Sequence, residues 1–173
     1  MAESVMRLRV NGHEHHLVVS DEATLLEVLR EQLHLHGTKD GCAVGSCGTC
    51  TVWLDGVPRL SCVTLAKTVE GRDVVTIEGL AGWWGRERPG EGAAAFHPLQ
   101  TAAVEAGAVQ CGFCTPGMLM AGAALLRDTP APGREEIREA LAGHLCRCTG
   151  YEQIIHAVEL AVDRMGEATP NEA

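Results

Sequence analysis

Gly41-Cys-Ala-Val-Gly-Ser-Cys-Gly-Thr-Cys-Thr-Val52 places Cys42, Cys47 and Cys50 within one nine-residue loop, and Cys62 follows after eleven intervening residues. The opening Cys-x4-Cys-x2-Cys is the plant-type spacing of a [2Fe–2S] cluster. Gly41, Gly45 and Gly48 suit that reading, because glycine lets the backbone wrap tightly and turn amide N–H groups toward sulfur. Such donors stabilise negative charge on the ligands and help set the potential. The competing reading is a structural four-cysteine zinc site, which usually shows two Cys-x2–4-Cys knuckles separated by a longer spacer. Here the first three thiols share one loop, which favours the cluster.

A second set lies downstream: Cys111-x2-Cys114, then 31 residues, then Cys146-x-Cys148. Taken alone this spacing leaves several chemistries open. Cys111 and Cys114 could bind zinc or form a redox disulfide. A thioredoxin-like motif, however, follows a strand in a βαβ unit, and no strand pattern precedes Cys111. Cys146 and Cys148 resemble neither a zinc knuckle nor a haem attachment site, and their spacing strains a disulfide. No cysteine is followed two residues later by histidine, which excludes a Rieske motif. Eight cysteines in two sets of four, with no sign of export, read as two metal sites and not as a disulfide framework.

Outward from the first loop, the pattern predicts an α+β unit ending near residue 79. Val5 to Val10 and His13 to Val19 flank Asn11-Gly12, a hairpin signal because both positions tolerate φ > 0. Leu25, Leu26, Leu29 and Leu33 share one face of a helix over 24–35, with Gly37 as its stop. Thr51 to Leu54 and Val57 to Leu60 flank Asp55-Gly56, a second hairpin, and Val74 to Ile77 is a last strand. Residues 80–97 read as a linker or insertion containing Trp83-Trp84. Four helices, over 99–106, 117–127, 134–144 and 153–165, form a second domain over 98–165, and 166–173 is a flexible tail.

The 173 residues carry 23 acids against 14 bases, a formal charge of −9. Nucleic-acid binding needs a basic stripe, so that class is not expected. No apolar run approaches the roughly 20 residues of a membrane span. The first ten residues lack a secretory pattern, so the expected compartment is the cytoplasm. No Gly-x-Gly-x-x-Gly or Gly-x4-Gly-Lys-Ser/Thr occurs, so nucleotide or flavin binding by this chain is unsupported. No catalytic residue stands out.

In register along the chain stand Gly41 to Val52, Leu54-Asp-Gly56, Ser61-Cys62, Gln110-Cys-Gly-Phe-Cys-Thr-Pro-Gly-Met118 and Leu145-Cys-Arg-Cys-Thr-Gly-Tyr151. Together they resemble the small iron–sulfur subunit of the xanthine oxidase, or molybdenum hydroxylase, family over residues 4 to about 163. The resemblance implies a β-grasp ferredoxin domain holding one [2Fe–2S] cluster through Cys42, Cys47, Cys50 and Cys62. It implies a four-helix bundle holding a second through Cys111, Cys114, Cys146 and Cys148. It further implies a large subunit with a molybdenum–pterin cofactor and a medium subunit with FAD, in a heterotrimer or a dimer of heterotrimers. Electrons would pass from molybdenum to the helical-domain cluster, then to the plant-type cluster and FAD. Gln110 matches a residue near the pterin, and Cys148 a ligand close to it. A free-standing two-cluster ferredoxin is the alternative.

Departures from the family pattern are the insertion at 83–96, the less aromatic Thr101-Ala-Ala-Val104, and His144 where asparagine is common. By side-chain chemistry alone Gln110 is a buried amide, and Trp83-Trp84 serves either partner docking or packing over the linker. Arg147, between two thiols, either tunes the site by its charge or pairs with an acid. The histidines show no ligand spacing.

Overall fold

A computed structural model describes residues 3–87 and 96–167. Strands β1 (Glu3–Val10) and β2 (His13–Ser20) form an antiparallel hairpin in full register, Val10 opposite His13 and Glu3 opposite Ser20. Its turn uses Asn11 and Gly12 at φ +53° and +85°. The second hairpin, β3 (Thr51–Leu54) and β4 (Val57–Leu60), turns in the same way on Asp55 and Gly56. Strand β5 (Asp73–Val75) runs parallel to β1 and antiparallel to β3, completing a sheet of order β2-β1-β5-β3-β4.

Helix α1 begins as an α-turn, Leu25–Glu27, and continues as a wider π-type turn, Val28–Gln32. Thr24 and Glu27 close a capping box, each side chain bonding the other's amide. The helix stops at Leu33, short of the expected Leu35, because His34 takes the left-handed terminating conformation assigned above to Gly37. Leu25, Val28 and Leu29 pack with Met6, Leu8, Val10, Val52, Leu54 and Val74 into the first core.

Side chains alternate along a strand, and β3 uses both directions. Val52 and Leu54 point to that core, while Trp53 and its cross-strand partner Val75 join a second core with the helices. Both faces of the sheet are thus covered at β3, which explains why all four of its residues are buried. The second core holds α3 (Pro98–Glu105), α4 (Thr115–Asp128), α5 (Arg134–Leu141) and α6 (Glu152–Glu167). Four helices were expected there; α5 ends three residues early, with Ala142 as its C-cap.

The stretch after residue 79 departs from the loop expected of it. Leu80–Glu87 is a helix, α2, with Leu80 and Trp84 buried in the second core. Trp83 meets Trp53 edge-on at 4.8 Å, and Trp84 meets His97 at 4.6 Å. The tryptophan pair therefore packs inward, as the second of its two readings held. The rest of the insertion, 88–95, and the tail beyond 167 lie outside the described residues.

Candidate metal centres

The first thiol loop is shaped by three left-handed residues, Ala43, Gly45 and Gly48, at φ +54°, +74° and +74°. They curl the chain so that amides face sulfur: Ser46 N–H donates to Cys42 Sγ at 3.3 Å, and the Gly45 amide is aimed at Cys62. Cys47 Sγ lies 3.2 Å from Thr49 Oγ1. Cys62 reaches the loop on a short turn, Ser61–Val63, bonded to the Cys50 carbonyl through both the amide and the hydroxyl of Ser61. Cys50 and Cys62 are buried against Leu26 of α1, and Cys42 and Cys47 are half-buried.

The second set is assembled from two loops. Cys114 is buried at the N-cap position of α4, and Cys111 is exposed just before it. The arm 145–151 brings Cys146 and Cys148 to them, with Cys148 Sγ 3.5 Å from Cys111 Sγ. Gly150 and Tyr151 are both left-handed, at φ +65° and +71°. Tyr151 stays there because its phenol oxygen accepts from the Cys146 amide at 2.9 Å and donates to the His144 carbonyl at 3.3 Å. Thr149 meets Cys146 Sγ through its hydroxyl and its amide.

All eight cysteines are free thiols. Within each set they fall into two near pairs: Cys42 with Cys47, Cys50 with Cys62, Cys111 with Cys148, and Cys114 with Cys146. Among the described residues no three His, Cys, Asp or Glu groups close around a single ion. Two pairs of thiols facing each other are what two irons bridged by sulfide require, so the residues fit a [2Fe–2S] group. The Ser46 side chain and the Val44 and Ser46 amides lower the Cys42 thiol to about 6. At Cys146 burial acts upward, but the Thr149 hydroxyl and amide bring the thiol down to about 7. Burial pushes Cys62 up to about 11 and Cys114 up to about 12, so a metal must displace their protons.

The two sets adjoin. The Leu145 amide donates to the Cys47 carbonyl at 2.9 Å, and His144 Nε2 lies 3.0 Å from Thr51 Oγ1. Burial lowers the His144 pKa. A Cβ on Gly117 of α4 would overlap the Gly48 carbonyl oxygen and lie 3.0 Å from Thr49 Cα. Only glycine allows this approach between helix and loop. Gly117→Ala is expected to destabilise the protein by about 1–3 kcal/mol, since a backbone must shift; an unchanged melting temperature would contradict it.

His144 was not singled out as functional in the sequence, where no local pattern marks a contact 93 residues away. Gln110 is exposed, which overturns the buried-amide reading of its side chain. Arg147 is exposed between its two thiols. The histidines at 13, 15 and 16 lie along β2, and His97 is buried as the cap of α3, its Nδ1 accepting from Leu99 N–H.

A 2Fe-2S iron-sulfur cluster binding domain matches residues 8–67, and a [2Fe-2S] binding domain matches residues 76–159. The chain is thus a tandem of two iron–sulfur domains. It is 42% identical to the nicotinate dehydrogenase small FeS subunit of Eubacterium barkeri, over 95% of this chain and 98% of that one. Quinoline 2-oxidoreductase from Pseudomonas putida 86 superposes with a TM-score of 0.83 at 40% identity, over 95% of this chain and 98% of its own. The aldehyde oxidoreductase of Desulfovibrio desulfuricans matches with a TM-score of 0.84 at 39% identity, over 95% of this chain but only 17% of that one. The chain belongs to the family of iron–sulfur subunits of the molybdenum hydroxylases.

Proposed function

We propose that this chain is the electron relay of a molybdenum-dependent oxidoreductase, with one [2Fe–2S] cluster on Cys42, Cys47, Cys50 and Cys62 and another on Cys111, Cys114, Cys146 and Cys148. The carrying observation is the gathering of both thiol sets, each as two pairs, in adjoining sites. Two units follow: a β-grasp domain up to about residue 79, and a four-helix bundle from 98 to 165 that α2 joins. Each cluster, when bound, stores one electron at a time.

The chain's own residues set the conditions for that storage. The Ser46 amide stabilises charge on Cys42, and Thr149 stabilises it on Cys146. Burial of Cys50 and Cys62 shields the first site, whereas exposed Cys111 and Cys148 bring the second to the surface. Around them Val109, Phe113 and Leu145 are exposed apolar side chains, and Gln110 is exposed beside Cys111. Such a patch suits docking on a large subunit that holds the molybdenum–pterin cofactor, with Gln110 reaching toward the pterin. That the same unit forms 17% of one longer relative supports a fixed partnership. FAD on a medium subunit, a heterotrimeric assembly and a cytoplasmic location complete the proposal. No helix among the described residues is long and apolar enough to cross a membrane.

The purified protein is expected to hold about four irons and about four acid-labile sulfides, and to show two distinct reduced [2Fe–2S] EPR signals. Zinc at either site would overturn the cluster assignment. Isolation of the native form as a lone holo-monomer, without two larger chains, would overturn the subunit assignment in favour of a free ferredoxin.

A further inference from the structure

The two edges of the sheet are finished differently. Strand β4, at one edge, has only four residues and carries Pro58, features that keep an edge from pairing with another strand. Strand β2, at the other, runs eight residues in full register with β1, without proline, lysine or bulge. Because the hairpin turns on two residues, Val10 and His13 exchange main-chain bonds, and so do Leu8 with His15 and Met6 with Leu17. The amides and carbonyls of Glu14, His16 and Val18 therefore face away from β1. Gln32 Nε2–H, from the end of α1, donates to the Val18 carbonyl at 3.1 Å. Those of Glu14 and His16 have no protein partner among the described residues.

These groups select one neighbour and one register. A second copy of β2, laid antiparallel about a two-fold axis at His15, sets Glu14 opposite His16 twice. Each such pair exchanges two main-chain bonds, so the free amides and carbonyls of both residues are all used. Moving the axis to His16 or Leu17 would need the Val18 carbonyl, which Gln32 holds. Moving it to Glu14 would set carboxylate against carboxylate. With the axis at His15 the side chains are complementary. Glu14 and His16 are both exposed, and within one strand Glu14 Oε1 already meets His16 Nε2 at 3.2 Å. Val18, 56% exposed beside its cross-strand neighbour Val5 at 68%, comes opposite Gly12 of the second copy, where no side chain stands in its way.

We propose that β2 is a docking edge for a second copy of this chain, pairing antiparallel about His15 and joining two five-stranded sheets into one. The assignment goes beyond the relay reading and does not depend on the ligand sets. The contact is isologous and closed by its own two-fold axis, so pairing stops at two edges and does not propagate. A contact built on one strand from each copy falls below the roughly 1,200 Å² of a stable interface, so the pair forms and parts with concentration.

Sedimentation of the holoenzyme over a concentration series tests this, because the particle mass is expected to double as concentration rises. Glu14→Lys sets a lysine against His16, and His16→Glu sets two carboxylates together, so either variant alone is expected to lose the doubling. An equimolar mixture of the two is expected to regain it, since each altered side chain then meets its complement. The register is read with His15→Cys. Diamide is expected to link the introduced cysteines several-fold faster than those of His13→Cys, which face Leu17 of the second copy. Iron content stays at the parent value throughout. A mass constant with concentration, doubling retained in both charge variants, equal linking at the two cysteine positions, or linkage of His15→Cys to a different chain overturns the edge pairing. Each outcome can be read whether or not larger chains accompany this one, so the relay assignment stands or falls separately.

Discussion

Cys114→Ala holoprotein is expected to show one reduced [2Fe–2S] EPR signal in place of two, with iron falling to about half. Cys114 is the buried thiol of its set, 9% exposed, and stands beside Cys146 at the start of α4. Alanine offers no donor atom there, and three remaining thiols cannot complete two irons. The first set is untouched, since Cys42, Cys47, Cys50 and Cys62 lie on the loop before β3 and the turn after β4. The interlock of α4 with Gly48 depends on Gly117, three residues further along the helix, which the substitution leaves in place. Loss of both signals in a chain that still unfolds cooperatively would contradict two separate ligand sets. Retention of both would remove Cys114 from the ligands.

The separation of the two thiol sets along the chain, with interlocked loops, also explains what the sequence made legible. Each hairpin announced itself locally: Asn11-Gly12 and Asp55-Gly56 adopt the paired positive φ values that their residue types favour. The thiol sets were readable because their cysteines recur at fixed spacings, and the structure brings Cys62 to Cys50 and Cys148 to Cys111. Helix α2 was not readable. Gly82, Gly85 and the charged residues after them dilute its pattern, and its order comes from Trp84 against His97 and Trp83 against Trp53, contacts distant in sequence. The early end of α1 follows from a π-type turn that places His34 in the left-handed region, a choice no hydrophobic period encodes.

The junction between the sites was hidden for the same reason. Gly48 read only as a glycine that lets the thiol loop wrap, and Gly117 only as the first residue of a helix. Their meaning appears only when the helix start is laid on the loop. His144 belongs to no spacing motif, yet its ring nitrogen meets Thr51 on the neighbouring unit. Spacing specifies which atoms can hold iron; tertiary packing decides how far apart the two sites stand.

Trp53→Ala is expected to cost about 3–5 kcal/mol, because a large buried aromatic is removed and its volume is only partly refilled. Trp53 is fully buried and faces the helices from the middle of β3. Its Nε1–H donates to the Met120 carbonyl of α4 at 2.8 Å, a bond from sheet to helix. Trp83 packs on the ring edge-on, and the Arg127 guanidinium lies 5.1 Å above it while also bonding the Gly56 carbonyl. One side chain thus ties the sheet to α2 and to the middle and C-terminal end of α4. For a chain of this length the cost corresponds to a melting temperature lower by about 10 °C. Trp53→Phe keeps an aromatic ring but loses the N–H, and should cost about 1–2 kcal/mol more than a neutral core change. Because Thr51, two residues earlier, sits under His144, loosening β3 from α4 should also weaken the contact between the sites. Calorimetry of the three holoproteins checks the order; a Trp53→Ala melt within about 2 °C of the parent would show that the sheet and helices are held together elsewhere.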